Sequence, residues 1–173
     1  MRRIAAARAD KDAAFRDAAD SPVPVNRRAQ FLPLAYFPTD PSYSVPASLK
    51  RAGPSDIIQM PTSTGQMRAM QRIGTLEFTL KGRLLTLGAF IEAGSRDLTH
   101  LFVPFTDMTS GTETYPAGRY LDLDRTVTGL YIIDFNRAYH PFCYFNETYD
   151  CPFPPDENRL PVPIRSGERM KRF

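Results

Sequence analysis

A chain of 173 residues, 42% hydrophobic and 24% charged, is long enough for one domain with a full core and short for two, so it needs neither a metal nor a disulfide merely to fold. Its 16 prolines argue against a helical bundle, because proline breaks helices and suits short strands joined by rigid turns. The net charge of +3 sits at the ends, with seven Lys and Arg against four Asp and Glu in residues 1–30, four against one in 165–173, and eleven against fourteen between them, so nucleic acid, which needs a basic stripe on the folded body, is not an expected partner.

Residues 2–19 read as a helix: alanine is abundant, Gly and Pro are absent, and Ser21-Pro22 ends it. The apolar stripe of Ile4, Ala7, Ala14 and Phe15 is weak, which predicts a helix lying on the domain surface. Arg2 and Arg3 precede only a short apolar run, too short for a signal segment, and nothing approaches the ~20 apolar residues of a membrane span. The expected compartment is the cytoplasm, where Cys143 and Cys151 are normally thiols. A turn of helix follows Pro24 and ends near Phe31.

From Leu32 the pattern changes. Tyr43, Val45, Ala47 and Leu49 alternate with polar or small residues, as in a half-buried strand. Ile57, Ile58 and Met60 form a second strand and residues 67–71 a weaker third. Leu76, Phe78 and Leu80 alternate again, Lys81-Gly82 makes a turn, and Leu85, Leu87 and Phe90 continue beyond it as a hairpin. Residues 101–104, 120–123 and 130–135 complete the strands, the last rich in β-branched and aromatic residues. Residues 139–163 are proline-rich and crowded with aromatics, so few of their amides can join a ladder. They read as a long ordered loop, a feature that tends to be functional in a compact domain.

The fold expected is mainly β: an antiparallel barrel or sandwich of about seven to nine strands. It carries an N-terminal helix over residues 1–20, a single β-rich domain over 21–164 whose proline-rich loop covers one end, and a polar, basic, mobile tail over 165–173.

Three segments carry a family resemblance: residues 101–107 (LFVPFTD) followed by 109–111 (TSG), residues 113–121 (ETYPAGRYL), and residues 134–163 (DFNRAYHPFCYFNETYDCPFPPDENRLPVP). With the spacing of Arg8, Lys11, Asp12 and Phe15 and the run Tyr36-Phe37-Pro38, the chain resembles the bacterial and archaeal family known as domain of unknown function 1684, over almost its whole length. The resemblance implies no activity. The family usually carries Asn at the position of His140, which counts against any scheme in which that histidine is essential.

Four constellations could carry chemistry. Residues 109–115 lead to Arg119; small hydroxyl residues and Gly111 can form an anion-binding nest, Arg119 can grip a carboxylate or phosphate, and Glu113 can act as a base or simply pair with Arg119. Asp134 and Asn136 end the best strand, where they can serve a ligand or cap a turn. Glu157 and Asn158 sit among rigid prolines, placed for binding or for bracing the loop.

The fourth is the pair Cys143 and Cys151 beside His140, open to four readings: a disulfide closing about nine residues and adding roughly 2–3 kcal/mol, a reactive thiol, a metal site, or two buried small hydrophobes. No further thiol or imidazole completes a zinc-finger spacing, so no metal is expected. No nucleotide, serine-hydrolase or metalloprotease motif is present, so no cofactor is expected.

The leading expectation is a module binding a small polar or anionic ligand at a pocket formed by residues 109–120, 134–143 and 151–160. Tyr115, Arg119, Asn136, Tyr139, Glu157 and Asn158 are the expected contacts. The rivals are a hydrolase or isomerase using Asp134 or Glu113 as base with Arg119 as stabiliser, and a scaffold whose N-terminal helix docks a protein partner.

Overall fold

The computed structural model describes residues 2–54, 56–96 and 99–171. Helix α1 (Arg2–Asp17) buries one residue, Phe15. That ring meets Phe145 edge-on at 5.5 Å, in a small apolar cluster with Val23, Phe31 and Leu34. Polar contacts finish the docking. The Asp12 carboxylate accepts from the Leu34 amide at 2.8 Å, Arg8 donates to the Phe37 carbonyl at 3.1 Å, and Lys11 pairs with Glu168 at 2.5 Å.

Seven antiparallel strands follow among the described residues: β1 (Ser44–Arg51), β2 (Ile57–Pro61), β3 (Met67–Leu80), β4 (Arg83–Glu92), β5 (His100–Phe105), β6 (Arg119–Asp124) and β7 (Leu130–Asp134). Their order is β6-β5-β4-β3-β1-β7, with β2 also paired to β3. The end strands β6 and β7 approach without pairing, which makes the sheet a nearly closed barrel with one seam. The expected mainly antiparallel barrel with an N-terminal helix is met. The two expected strands at 67–71 and 76–80 are halves of the single strand β3, joined through a bulge between Arg72 and Gly74. The hairpin β3–β4 turns at Lys81 and Gly82, both with positive φ (48° and 78°). That is the backbone a tight two-residue hairpin loop requires, and Gly82 adopts it without a Cβ penalty.

The alternation along each strand decides what fills the barrel. Val45 and Ala47 of β1, Leu76, Phe78 and Leu80 of β3, Leu85, Leu87 and Ala89 of β4, Leu101, Val103 and Phe105 of β5, Leu121 and Leu123 of β6, and Tyr131 and Ile133 of β7 form one buried cluster. The interior is packed with side chains, as in other small barrels.

The opposite phase of β3 and β4 also carries apolar residues. Met70 and Phe90 join Met60 of β2 in a separate buried cluster. Register places the Glu92–Met70, Phe90–Phe102 and Pro104–Tyr120 pairs on this outer face.

Residues 139–163 run across that outer face. The Ser63 amide donates to Cys151 O and the Phe153 amide to Pro61 O, Tyr120 and Tyr139 exchange both backbone bonds, and residues 158–160 bond Thr106 on both sides. The segment beyond residue 164, expected as a mobile tail, is instead threaded into the fold through residue 171. Ser166 and Glu168 are buried, the Phe37 amide donates to Gly167 O, and the Arg169 amide to Ala35 O.

Candidate functional site

Arg119 is sealed inside the protein. Its Nη2 lies 2.9 Å from Asp107 Oδ2 and donates to Ile164 O at 2.7 Å, while Nη1 donates to Ser166 O and Glu168 O. Burial pulls the guanidinium pKa down and Asp107 holds it up. Glu113 pairs with Arg165 at 2.8 Å rather than with Arg119. The expected anion nest is spent: every amide from Thr109 to Tyr115 has a partner within the protein, chiefly Asp107, the Thr109 carbonyl and His140. Arg119 therefore fastens the C-terminal segment to the barrel and offers nothing to a ligand.

Asp134 and Asn136 cap their own turn. The Asp134 carboxylate accepts from the Asn136 amide at 3.1 Å and from its side chain at 2.9 Å. Buried Asn136 also exchanges bonds with the Asp40 backbone and accepts from Ser166 Oγ. Glu157 pairs with Arg72 at the surface. Asn158 is fully buried against Gly88 and Pro104. Arg119, Asp134 and Glu157 thus do not meet around a shared hollow. Each is satisfied by its own neighbours, and neither Glu113 nor Asp134 faces the hollow described next.

Residues of the three expected segments do come together, chiefly through other side chains. A hollow of about 340 Å³ lies on the outer face of the sheet beneath the proline-rich loop. Arg68 and Met70 of β3, Glu92 of β4, Phe102 of β5 and Tyr120 of β6 form its floor; Tyr139, Pro141, Phe142, Asp150, Cys151 and Pro152 form its roof. Phe102 and Tyr120 stand edge to face at 4.7 Å, and Tyr120 with Tyr139 at 5.8 Å. The Tyr120 hydroxyl donates to Pro152 O at 2.5 Å, tying the roof to the floor. The Tyr139 hydroxyl donates to Asp122 at 2.6 Å, and burial drives the pKa of both phenols upward. Both rings stay neutral.

On the polar wall, Arg68 pairs with Asp150 at 2.7 Å. Hydrogen bonds from Thr62 and Thr64, with Arg68 beside them, lower the Asp150 pKa to about 2, so this carboxylate is ionised at neutral pH. Of the expected contacts, only Tyr139 lines the hollow. Phe102 and Phe90, both on the outward phase of strands whose inward phase is already apolar, were the available signal for a second apolar face.

Cys143 and Cys151 are free thiols, each 7% exposed. The Cys143 amide donates to Cys151 Sγ at 3.4 Å, and Cys143 Sγ lies 3.9 Å from the Tyr115 hydroxyl. A hydrogen bond from Cys151, helped by Tyr115 and Ser63 against the cost of burial, lowers the Cys143 pKa to about 6; the same bond and burial raise that of Cys151.

His140 does not join the sulfurs. Its Nε2 accepts from the Tyr115 amide at 3.3 Å, and its Nδ1 faces Glu168 at 3.7 Å. Among the described residues no group of three or more His, Cys, Asp and Glu side chains is placed to hold a metal. No helix among them is long and apolar enough to cross a membrane.

The family described as a protein of unknown function, DUF1684, matches residues 29–169. The chain is similar to the solution NMR structure of an uncharacterised protein from Haloarcula marismortui, with a TM-score of 0.76 and 35% sequence identity over 97% of this chain and 92% of that one. No curated protein matches the chain.

Proposed function

The chain belongs to the DUF1684 family, which brings a fold and no activity, and from the outer-face hollow we propose that it is a binding module for a small organic molecule with an apolar or aromatic body and a cationic or hydrogen-donating end. The observation that carries this is the composition of the wall: four aromatic rings, Phe102, Tyr120, Tyr139 and Phe142, with the carboxylates of Glu92 and Asp150 against the single guanidinium of Arg68. Small-molecule sites are concave, mainly apolar and of this size, with a few polar groups that fix orientation. Aromatic faces and surplus negative charge attract cations. An anion, the earlier expectation from Arg119, would meet an Arg68 already engaged by Asp150.

The test is ligand-observed NMR on matched arylalkyl amines, neutral amides and carboxylates. The reading expects saturable binding of amines above the other two classes, weakened several-fold by Phe142→Ala at the rim and by Glu92→Gln on the floor. Failure of all three classes to bind the wild type, or amine binding equal in both variants, overturns it.

A further inference from the structure

Two cysteines eight positions apart are brought sulfur to backbone under the proline-rich loop, with the Cys143 amide 3.4 Å from Cys151 Sγ. The approach is built rather than incidental. The Cys151 amide is held by Ser63 Oγ at 3.0 Å, Ser63 Oγ also donates to Tyr149 O at 2.9 Å, and the Ser63 amide donates to Cys151 O. One serine therefore clamps the segment that carries the second sulfur. On the other side, the 3₁₀ turn Phe142–Tyr144 sets Cys143 Sγ toward the Tyr115 hydroxyl. Cys151 and Phe142, the chain neighbour of Cys143, form part of the wall of the hollow, so a small molecule entering there stops beside the pair. Purely structural buried thiols need neither a hydroxyl nor each other.

We propose that Cys143 and Cys151 are a redox-active pair that reduces a small hydroperoxide and closes reversibly into a disulfide. This goes beyond ligand binding and stands without it. The Cys143 thiolate, with the Tyr115 hydroxyl and the Cys151 thiol as its donors, attacks the distal oxygen of the hydroperoxide. The O–O bond breaks, the alkoxide leaves and takes up a proton to become an alcohol, and Cys143 becomes a sulfenic acid. Cys151 sulfur then attacks Cys143 sulfur, the S–O bond breaks, and hydroxide leaves with the Cys151 proton as water. In sum, two thiols and one hydroperoxide give one disulfide, one alcohol and one water: the pair loses two electrons and the peroxide gains them. A low-molecular-weight thiol returns the pair to the reduced state by exchange through a mixed disulfide. The depressed pKa of Cys143 supplies thiolate at neutral pH.

The experiment treats the folded, reduced protein with stoichiometric hydrogen peroxide and follows free thiols and intact mass. The expected result is loss of both thiols with the mass of two hydrogens, reversed by dithiothreitol. In Cys151→Ser, a sulfenic acid on Cys143 is trapped by dimedone, while Cys143→Ser gives no adduct. Retention of both thiols by wild-type protein that stays folded throughout overturns the proposal, and an adduct confined to Cys151 in Cys143→Ser overturns the assigned order of attack. Tyr115→Phe, which removes the hydroxyl and keeps the ring, should slow thiol loss several-fold and shift its pH profile upward; an unchanged profile removes Tyr115 from the site. A failed fragment screen leaves these outcomes untouched, so the two readings fail separately.

Discussion

Arg119 Nη2 stands 2.9 Å from Asp107 Oδ2 with both side chains almost completely shut off from solvent, at 0% and 1% exposure. Asp107 is doubly committed, since its other oxygen accepts from the Thr109 and Ile164 amides. The pair welds the 107–119 turn to the segment 164–168. Removing one partner leaves a buried charge without its counter-ion, which costs about 3–5 kcal/mol, whereas removing both for apolar groups costs much less. Arg119→Met is expected to lower the urea midpoint sharply and to expose the C-terminal segment to limited proteolysis. The double variant Arg119→Met with Asp107→Leu should recover part of the loss. A double variant no better than the single would show that the bonds of both side chains to backbone, three carbonyls on Arg119 and two amides on Asp107, and not the pair, hold the segment.

Asn158 does the work of a strand where β4 and β5 part. Among the described residues the two strands pair only at Phe90 and Phe102. Beyond that point the Asn158 side chain accepts from the Gly88 amide at 2.7 Å and donates to Gly88 O at 2.9 Å and Pro104 O at 2.6 Å. Gly88 permits this, because a Cβ there would sit 2.9 Å from the Phe90 ring and 3.1 Å from Asn158 Oδ1. Asn158→Asp keeps the shape, removes both donors and sets a carboxylate against two carbonyls. It is expected to destabilise by about 3 kcal/mol or more, with Asn158→Ala costing somewhat less, since each orphaned buried group costs about 1–3 kcal/mol. Calorimetry on the two variants gives the order, and an Asp variant as stable as wild type would mean that water replaces the amide.

Local pattern carried the strands because period-2 alternation reports which face is buried, and Val45, Ala47, Leu76, Phe78, Leu85 and Leu87 all face inward in the barrel. It could not join residues 67–71 to 76–80, since a bulge resets the phase at Arg72 and Gly74. The candidate site was half legible. Each of the three expected segments contributes residues to the hollow. Four of the six contacts chosen were charged or amide residues, and each of these is committed to a structural bond; four of the eleven residues that line the hollow are aromatic, Tyr139 among them. Sequence position does not distinguish an Arg that waits for a ligand from one whose partner, Asp107, arrives from twelve residues away across an antiparallel pair. Nor does polarity reveal that residues 165–171 thread back through the fold, because many of the bonds that pin them are to backbone atoms.

Helix α1 spends its one buried side chain on its own domain. Phe15 →Ala empties a site bounded by Phe142 and Phe145 and is expected to cost about 3 kcal/mol, at the lower end for a buried Phe because the site lies near the surface. Arg3→Ala on the exposed side should stay within about 0.5 kcal/mol of wild type. Urea denaturation of both variants measures the difference. Equal midpoints would show that the helix is not part of the folded unit and would return it to the role of a free docking element.

His140 makes stability depend on pH. The imidazole is almost completely buried, and burial first, then Arg119 and Lys11, hold its pKa well below 6.5. The unfolded chain takes a proton near pH 6.5 that the folded chain refuses. Stability is therefore complete above that pH and is lost as pH falls, by up to about 1.4 kcal/mol per pH unit for one proton. Cys143, with its pKa lowered to about 6, acts in a higher window: there the folded state releases a proton that the unfolded state keeps, and stability rises with pH. Asp40 and Asp150, with lowered pKa values, add their loss only in the more acidic range where carboxylates titrate. Between about pH 6 and pH 5 the slope should belong mainly to His140. His140→Asn gives up the bond from the Tyr115 amide and lowers stability throughout, yet should flatten the curve in that interval. Denaturation midpoints measured across it in wild type and variant decide the matter: parallel curves would mean that the buried imidazole takes up its proton in the folded state.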